Sequence, residues 1–367
     1  GWSGIILGLV LYVVVVTGTA VVFGPEIDAW SARGDGYRPT LTELSPVDPH
    51  LRVITERTPK GYLKNVSVYS NSRGEKVIAT YAQVFNPEKG RARAYGSLYH
   101  LDRKTGTQLS RDEGFIYDDP RNYETSALED FLVELHVRLY VPDPWGSILT
   151  GIMGFLVMAA GITGFLMHRH LIRDLFVSVR SGERLVTARD RHVLAASWSL
   201  IFAFLLGFTG SFYSFSGTIT FPLVSEAAFG GDQDAMRTVM FQPEAAPDET
   251  AANVVNLDAV IQRSEIEAGS PPTFLGVENW GRADGRISVY HAPPEGGLVN
   301  VRNIFRAADG KFLGSKPGLG NAPSLGADIY GLIDPLHFGD FAGVLSQSVW
   351  VGLGTAMAYV IISGLRL

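Results

Sequence analysis

The sequence predicts an α-helical membrane protein with four transmembrane helices, two α/β domains on the periplasmic side and an internal span–domain–span repeat. The prediction depends on four long apolar runs, on an arginine-rich loop between the second and third runs, and on a recurring Thr-Gly or Ser-Gly pair. The chain has 367 residues, of which 46% are hydrophobic, and the apolar residues are concentrated in these runs.

The four apolar runs are long enough to cross a bilayer. A helix needs about 20 apolar residues to span roughly 30 Å of hydrocarbon. None of the runs contains Lys, Arg, Asp or Glu, whereas a long helix of a soluble protein normally keeps a charged face. The predicted spans are Ile5–Phe23, Ile148–Met167, Val193–Phe215 and Val344–Leu365.

The loop between the second and third spans sets the orientation. It carries six arginines against three acidic residues, which indicates a cytoplasmic loop by the positive-inside rule. We therefore expect a bacterial inner-membrane protein with cytoplasmic N- and C-termini. In order, the predicted segments are span 1–24, periplasmic domain 25–145, span 146–168, cytoplasmic loop 169–192, span 193–216, periplasmic domain 217–343 and span 344–367.

Both outer segments have the alternating pattern of short strands. Val66–Tyr69, Val77–Val84 and Gly96–Leu101 are predicted strands of the first domain. In the second, Thr250–Ala268 is a predicted helix, and Val301–Phe305 is a strand that precedes a turn.

Composition excludes several functions. The net charge of −6 disfavours nucleic-acid binding, which requires a basic surface. The absence of cysteine excludes disulfides, thiolate catalysis and cysteine-ligated iron–sulfur clusters. Redox chemistry in this chain would therefore use histidine, carboxylates or a bound cofactor.

A pair of small residues recurs in the spans and suggests the repeat. Thr17-Gly18 lies near the end of the first span and Thr209-Gly210 near the end of the third, while Thr163-Gly164 and Ser363-Gly364 occupy matching places in the second and fourth. Small residues allow helices to approach closely, so we expect these pairs to serve helix packing.

The repeat relates two histidines at the outer ends of the spans. His136 lies 27 residues before Thr163, and His337 lies 26 residues before Ser363. A pseudo-two-fold relation would bring both imidazoles face to face, as in a haem held by two histidines between helices. The simpler alternative is that histidines at a membrane boundary only contact lipid headgroups.

A second pair is predicted near the cytoplasmic face. His192 lies 17 residues before Thr209, and the equivalent place in the first copy is the position just before Gly1, where we predict histidine. Otherwise, His168 or His170 at the inner end of the second span is the expected partner of His192. The pattern leaves open whether one or two haem groups bind.

The order of these motifs resembles the PepSY-associated transmembrane family. The resemblance rests on Trp2-x-Gly4, Leu135-His136, Asp190-Arg191-His192 and Leu336-His337-Phe338-Gly339, and each outer domain resembles a PepSY domain. Within that family, the sequence looks most like the inner-membrane ferrisiderophore reductases. That resemblance implies haem b, with His136 and His337 as outer ligands and His192 as an inner one.

The resemblance also implies a function. A cytoplasmic or quinol donor, whose identity the sequence does not reveal, would supply electrons for reducing an Fe(III)-siderophore in the periplasm. Tyr117, Trp280 or Phe338 would contact this substrate, although core packing is the simpler role for each. Some relatives have another histidine midway along the third span, where this chain has Ala203, so a ligand set that uses it is not available.

Two other classes of function remain open. The outer domains would act as a non-enzymatic binding or inhibitory module if the spans served only as an anchor, and no cofactor would then be expected. A transporter is the third class. However, four spans are few for one, and charged residues at mid-membrane, which mark ion pathways in transporters, are missing from the spans.

Overall fold

The computed structural model of the chain describes residues 2–31, 37–87, 91–118, 127–167, 175–176, 179, 184–240, 246–295, 297–316 and 324–366. The chain divides into two compact units. The helical unit comprises Gly1–Gly24, Glu129–Met236 and Ile333–Leu367. The sheet unit comprises Pro25–Leu128 and Arg237–Leu332.

The elements are numbered in chain order. The helices are α1 (Trp2–Val21), α2 (Gly24–Ser31), α3 (Val47–Arg57), α4 (Ala127–Arg138), α5 (Trp145–Met167), α6 (Arg184–Phe215), α7 (Phe221–Phe229), α8 (Gln233–Met240), α9 (Leu257–Ala268), α10 (Leu325–Phe338) and α11 (Val344–Arg366). The strands are β1 (Asn65–Ser70), β2 (Lys76–Asn86), β3 (Arg91–Leu101), β4 (Gln108–Phe115), β5 (Pro272–Glu278), β6 (Arg286–His291), β7 (Val301–Arg306) and β8 (Phe312–Lys316).

Among the described residues, four helical segments of the helical unit are long and apolar enough to cross a membrane, the number that the sequence predicts. Helices α1, α5 and α11 provide three of them and begin and end within a few residues of the predicted limits. The fourth combines α6 and α7.

The third span is longer than predicted. Helix α6 begins at Arg184, so the last part of the predicted loop 169–192 is helical. Beyond Phe215 the chain continues through a π-helical turn, Ser216–Thr220, into α7, so the predicted second domain does not begin at residue 217. The apolar residues continue past Phe215, and the π turn directly precedes α7, which has a proline in its first turn.

The sheet unit contains one antiparallel sheet of eight strands, in the order β4-β3-β2-β1-β5-β6-β7-β8. The strands predicted from alternating residues are present. The two segments predicted as separate domains do not form separate sheets, however, because β1 of the first pairs directly with β5 of the second, with Ser67 opposite Gly276. The predicted domain limits also differ from the unit limits, because residues 129–145, 217–236 and 333–343 belong to the helical unit.

Helices α3 and α9 pack on the same hydrophobic core as the central strands. Leu51 of α3 and Leu257 of α9 are fully buried in it, together with Val68 of β1 and Leu275 of β5. Since residues from both chain segments fill this core, the sheet unit is held together by one continuous apolar interior.

The N-termini of α3 and α9 cap each other. The Asp258 carboxylate accepts hydrogen bonds from the backbone N–H groups of Val47 (2.7 Å) and Asp48 (3.1 Å), and the Asp48 carboxylate accepts one from the N–H of Leu257 (3.1 Å). The Asn256 side chain also caps α9. Helix α9 therefore begins at Leu257 and not at Thr250 as predicted.

Candidate cofactor site in the helical unit

The structure brings His136 and His337 together. His136 lies in the last turn of α4, and His337 lies in the last turn of α10. Their ring centroids are 6.2 Å apart, and the ring planes differ by 36°. Imidazole nitrogens are metal ligands, so two rings at this separation offer a pair of nitrogen donors.

Each imidazole of the pair is held by its Nδ1 atom. His136 Nδ1 lies 2.8 Å from the backbone oxygen of Val14 in α1, and His337 Nδ1 lies 2.8 Å from Thr209 Oγ1 in α6. A carbonyl oxygen only accepts hydrogen bonds, so His136 donates from Nδ1 and keeps the lone pair on Nε2. Metal-binding histidines typically have this arrangement, with the second ring nitrogen donating to a fixed acceptor.

The Thr-Gly pairs of α1 and α6 contact these rings. A Cβ atom placed on Gly18 would lie 2.6 Å from His136 Cε1, and one placed on Gly210 would lie 3.4 Å from His337 Cε1. Glycine therefore lets each ring lie directly against a span. The prediction that these pairs serve packing between spans missed their contact with the rings. Their matching positions in the first and third spans could have indicated a shared role.

Aromatic residues surround His337. The Tyr213 ring lies one helical turn after Thr209 and 5.3 Å from the His337 ring, and its hydroxyl donates to Asp334 Oδ1 at 2.8 Å. Phe338 is exposed and its ring is 5.4 Å from that of His337. No sequence pattern distinguishes Tyr213 from other aromatic residues of the spans, and only the position of His337 identifies it.

The other two predicted substrate contacts lie in the sheet unit. Tyr117 packs against a small apolar cluster that contains Val77 and Leu98, and Trp280 packs against the main core. Both positions agree with a role in packing.

His192 has surroundings like those of His337. Its Nδ1 lies 2.8 Å from Ser363 Oγ in α11, and a Cβ atom on Gly364 would lie 3.3 Å from its Cε1. Its predicted partners His168 and His170 lie outside the described residues. In the Thr163-Gly164 pair of α5, a Cβ atom on Gly164 would lie 3.6 Å from Leu200 Cδ1, which agrees with a role in helix packing.

The histidines of the sheet unit are committed to structural contacts. His291 is buried, with Nε2 2.7 Å from Ser264 Oγ and Nδ1 2.8 Å from the Ser270 carbonyl. His100 Nδ1 lies 3.1 Å from the Glu75 carboxylate. The hydrogen bond from His100 is the main reason why the pKa of Glu75 is lowered from its usual value.

The described residues contain no cluster of three or more His, Asp or Glu side chains that would hold a metal ion. Haem needs only two protein ligands, because the porphyrin supplies the other four. Imidazole nitrogens bind first-row metals at about 2 Å, so two such bonds in line, plus the distance from each nitrogen to its ring centre, span about 6 Å. The separation of His136 and His337 fits that requirement.

Comparison with known proteins identifies a family to which the chain is similar. The profile of the family described as "PepSY-associated TM region" matches residues 1–367. "Uncharacterized protein PA4219" of Pseudomonas aeruginosa is 27% identical over 245 residues, which are 62% of this chain and 57% of the relative. The match therefore covers little more than half of that relative's length.

Proposed function

We propose that this chain, which belongs to the PepSY-associated transmembrane family, is a haem-containing reductase of a bacterial inner membrane. It passes electrons to an Fe(III)-siderophore in the periplasm and releases Fe(II). In this proposal it resembles the ferrisiderophore reductase FoxB. His136 and His337 would hold an outer haem b.

One observation carries the proposal. His136 and His337 both belong to the helical unit, their ring centroids are 6.2 Å apart, and each Nδ1 lies 2.8 Å from an oxygen on a span. A histidine that merely contacted lipid headgroups would have no reason to pair with a second ring. Paired rings with Nδ1 engaged are what axial ligation by Nε2 requires.

An inner haem is part of the proposal. His192 would hold it, with His168 or His170 as the expected partner, and a cytoplasmic or quinol donor would supply the electrons. The contact of His192 with Ser363 and Gly364 repeats that of His337 with Thr209 and Gly210, which supports a common role.

Periplasmic placement of the sheet unit and an internal repeat also belong to the proposal. The arginine-rich loop supports this orientation. The sheet order supports the repeat, because four strands from each chain segment meet at the central β1–β5 pair.

Bound haem would supply one-electron transfer. The Val14 oxygen holds His136 in one tautomer, Thr209 Oγ1 contacts Nδ1 of His337, and the apolar spans limit access of water. Siderophore oxygens bind Fe(III) far more tightly than Fe(II). One electron added to the ferric chelate therefore releases Fe(II) and leaves the free chelator. Tyr213 and Phe338 beside His337 are the proposed contacts for the chelate.

The first prediction concerns the two outer ligands. Replacing His136 or His337 by Ala removes one axial ligand, so we expect loss of the outer haem and of Fe(III)-siderophore reduction. Haem per protein and the reduced α and β absorption bands measure the first effect. Trapping of Fe(II) by a coloured chelator measures the second.

His100→Gln is the control, because it changes a histidine of the sheet unit. It should keep wild-type haem content and reduction rate. Full haem content in both alanine variants would disprove the ligand assignment. A wild-type protein produced with haem available that shows no haem spectrum would disprove the reductase proposal and favour the anchored binding module.

A further inference from the structure

Thr209 lies in the third span and is almost fully buried, with 1% of its surface exposed. Its Oγ1 donates to the backbone oxygen of Leu205 at 2.9 Å and lies 2.8 Å from His337 Nδ1. A hydroxyl has one proton, and here the Leu205 carbonyl accepts it. The hydrogen bond between Thr209 and His337 therefore has the imidazole as donor and the hydroxyl as acceptor.

We infer that Thr209 is a positioning residue for the cofactor: its hydroxyl fixes the His337 proton on Nδ1, leaves Nε2 free to bind iron, and strengthens the imidazole as a ligand of ferric iron. The inference deepens the proposed function and rests on it. A ligand imidazole that donates from its second nitrogen becomes more basic.

The hydroxyl is a good acceptor because it is also a donor. Donation to Leu205 polarises the O–H group, which makes its oxygen a stronger acceptor for His337. Without that acceptor, the Nδ1–H group of His337 would lose its hydrogen-bond partner at this position, which destabilises this tautomer. The imidazole would then be free to move its proton to Nε2, the nitrogen that has to bind iron.

The chain contains a matched control for this role. Thr17 has the same place in the first span, but its Oγ1 donates to the backbone oxygens of Val13 (2.7 Å) and Val14 (3.1 Å). His136 donates to the Val14 oxygen itself. Removing the Thr17 hydroxyl therefore leaves the acceptor of His136 in place, whereas removing the Thr209 hydroxyl removes the acceptor of His337.

The test uses the haem-loaded protein in detergent. Wild type, Thr209→Val, Thr209→Ser and Thr17→Val are compared by haem content and by redox titration of the α band. Valine keeps the shape of threonine, so any change reports the hydroxyl. His337→Ala identifies which component of the titration belongs to the outer haem.

In Thr209→Val, we expect binding of ferric haem to weaken about tenfold relative to ferrous haem, within the 10–100-fold range for a lost outer hydrogen bond. A tenfold change corresponds to a potential about 59 mV higher for a one-electron couple. Thr209→Ser and Thr17→Val should both keep the wild-type potential.

An unchanged potential in Thr209→Val, or an equal rise in Thr17→Val, would overturn the inference. A wild type without haem would instead disprove the proposed function, and the tautomer would then be read from haem-free protein. Nitrogen NMR of ring-labelled histidine, with His337→Gln to identify the signal, should show Nδ1–H at His337 in wild type and its loss in Thr209→Val. An Nε2–H tautomer in wild type would disprove the inference.

Discussion

At the scale of single residues, each imidazole of the candidate sites lies against a glycine that follows threonine or serine. His136 contacts Gly18, and His337 contacts Gly210. The two contacts differ in tightness, since a Cβ atom would lie 2.6 Å from the first ring and 3.4 Å from the second. A distance of 3.4 Å is an ordinary van der Waals contact, whereas 2.6 Å forces the ring to move.

The tight contact predicts an asymmetry between two equivalent alanine variants. In Gly18→Ala, the new methyl group should displace the His136 ring from the Val14 oxygen and reduce outer haem content severalfold. Gly210→Ala should stay near wild type. Both changes favour a helix by up to about 1 kcal/mol, so propensity does not explain a difference. Haem per protein measures it, and equal losses in both variants would contradict the assignment.

At the scale of elements, α5 and α6 pack through small residues. A Cβ atom on Gly154 would lie 2.2 Å from Ser211 Oγ and 2.8 Å from the Gly207 oxygen, and Ser211 Oγ donates to the Gly151 oxygen at 3.0 Å. Such close approach gives membrane helices their packing and interhelical hydrogen bonds, because lipid supplies no hydrophobic driving force between them.

This packing predicts that Gly154→Ala destabilises the helical unit by about 1–3 kcal/mol, the usual cost of overpacking. Gly352→Ala in α11 is the control, because no other described part of the chain lies within 4 Å of the added methyl group. Unfolding in sodium dodecyl sulfate, followed by the helical circular dichroism signal, measures both variants. Equal stability of the two would show that the α5–α6 contact is loose in solution.

At the scale of the whole molecule, two distant chain segments build one sheet unit. The central pair β1–β5, the shared core and the mutual capping of α3 and α9 all join the segments. Structure that shares a core and a central ladder tends to open as one cooperative unit.

We therefore expect a core change in one segment to weaken both. Leu51→Ala in α3 should cost about 2–5 kcal/mol, and protection from hydrogen exchange should fall in β2 and in β6 alike. Ile266→Ala, at a site that is 83% exposed, should change little. Loss of protection confined to β1–β4 would show that the two segments unfold separately.

The sequence by itself determined the spans, most of the strands and the histidines worth pairing. Apolar length and alternating residues are local properties, which depend on the solvent that each segment faces, and matched spacing selected His136 and His337 before any contact was known. The sequence predicted the ends of the third span and of α9 less accurately, because a π turn and a capping network depend on contacts with other parts of the chain.

Only the tertiary structure decided that the two segments between the spans share a sheet, and that Thr209, Gly18 and Gly210 contact the imidazoles. The backbone groups at the edge of β1 could pair with many other strands. Its pairing with β5 joins residues about 200 positions apart, such as Ser67 and Gly276. A Thr-Gly pair looks the same in sequence whether it packs on a helix or on a ring. The two cases differ in which side chain of another helix contacts the pair, and only the three-dimensional packing determines that contact.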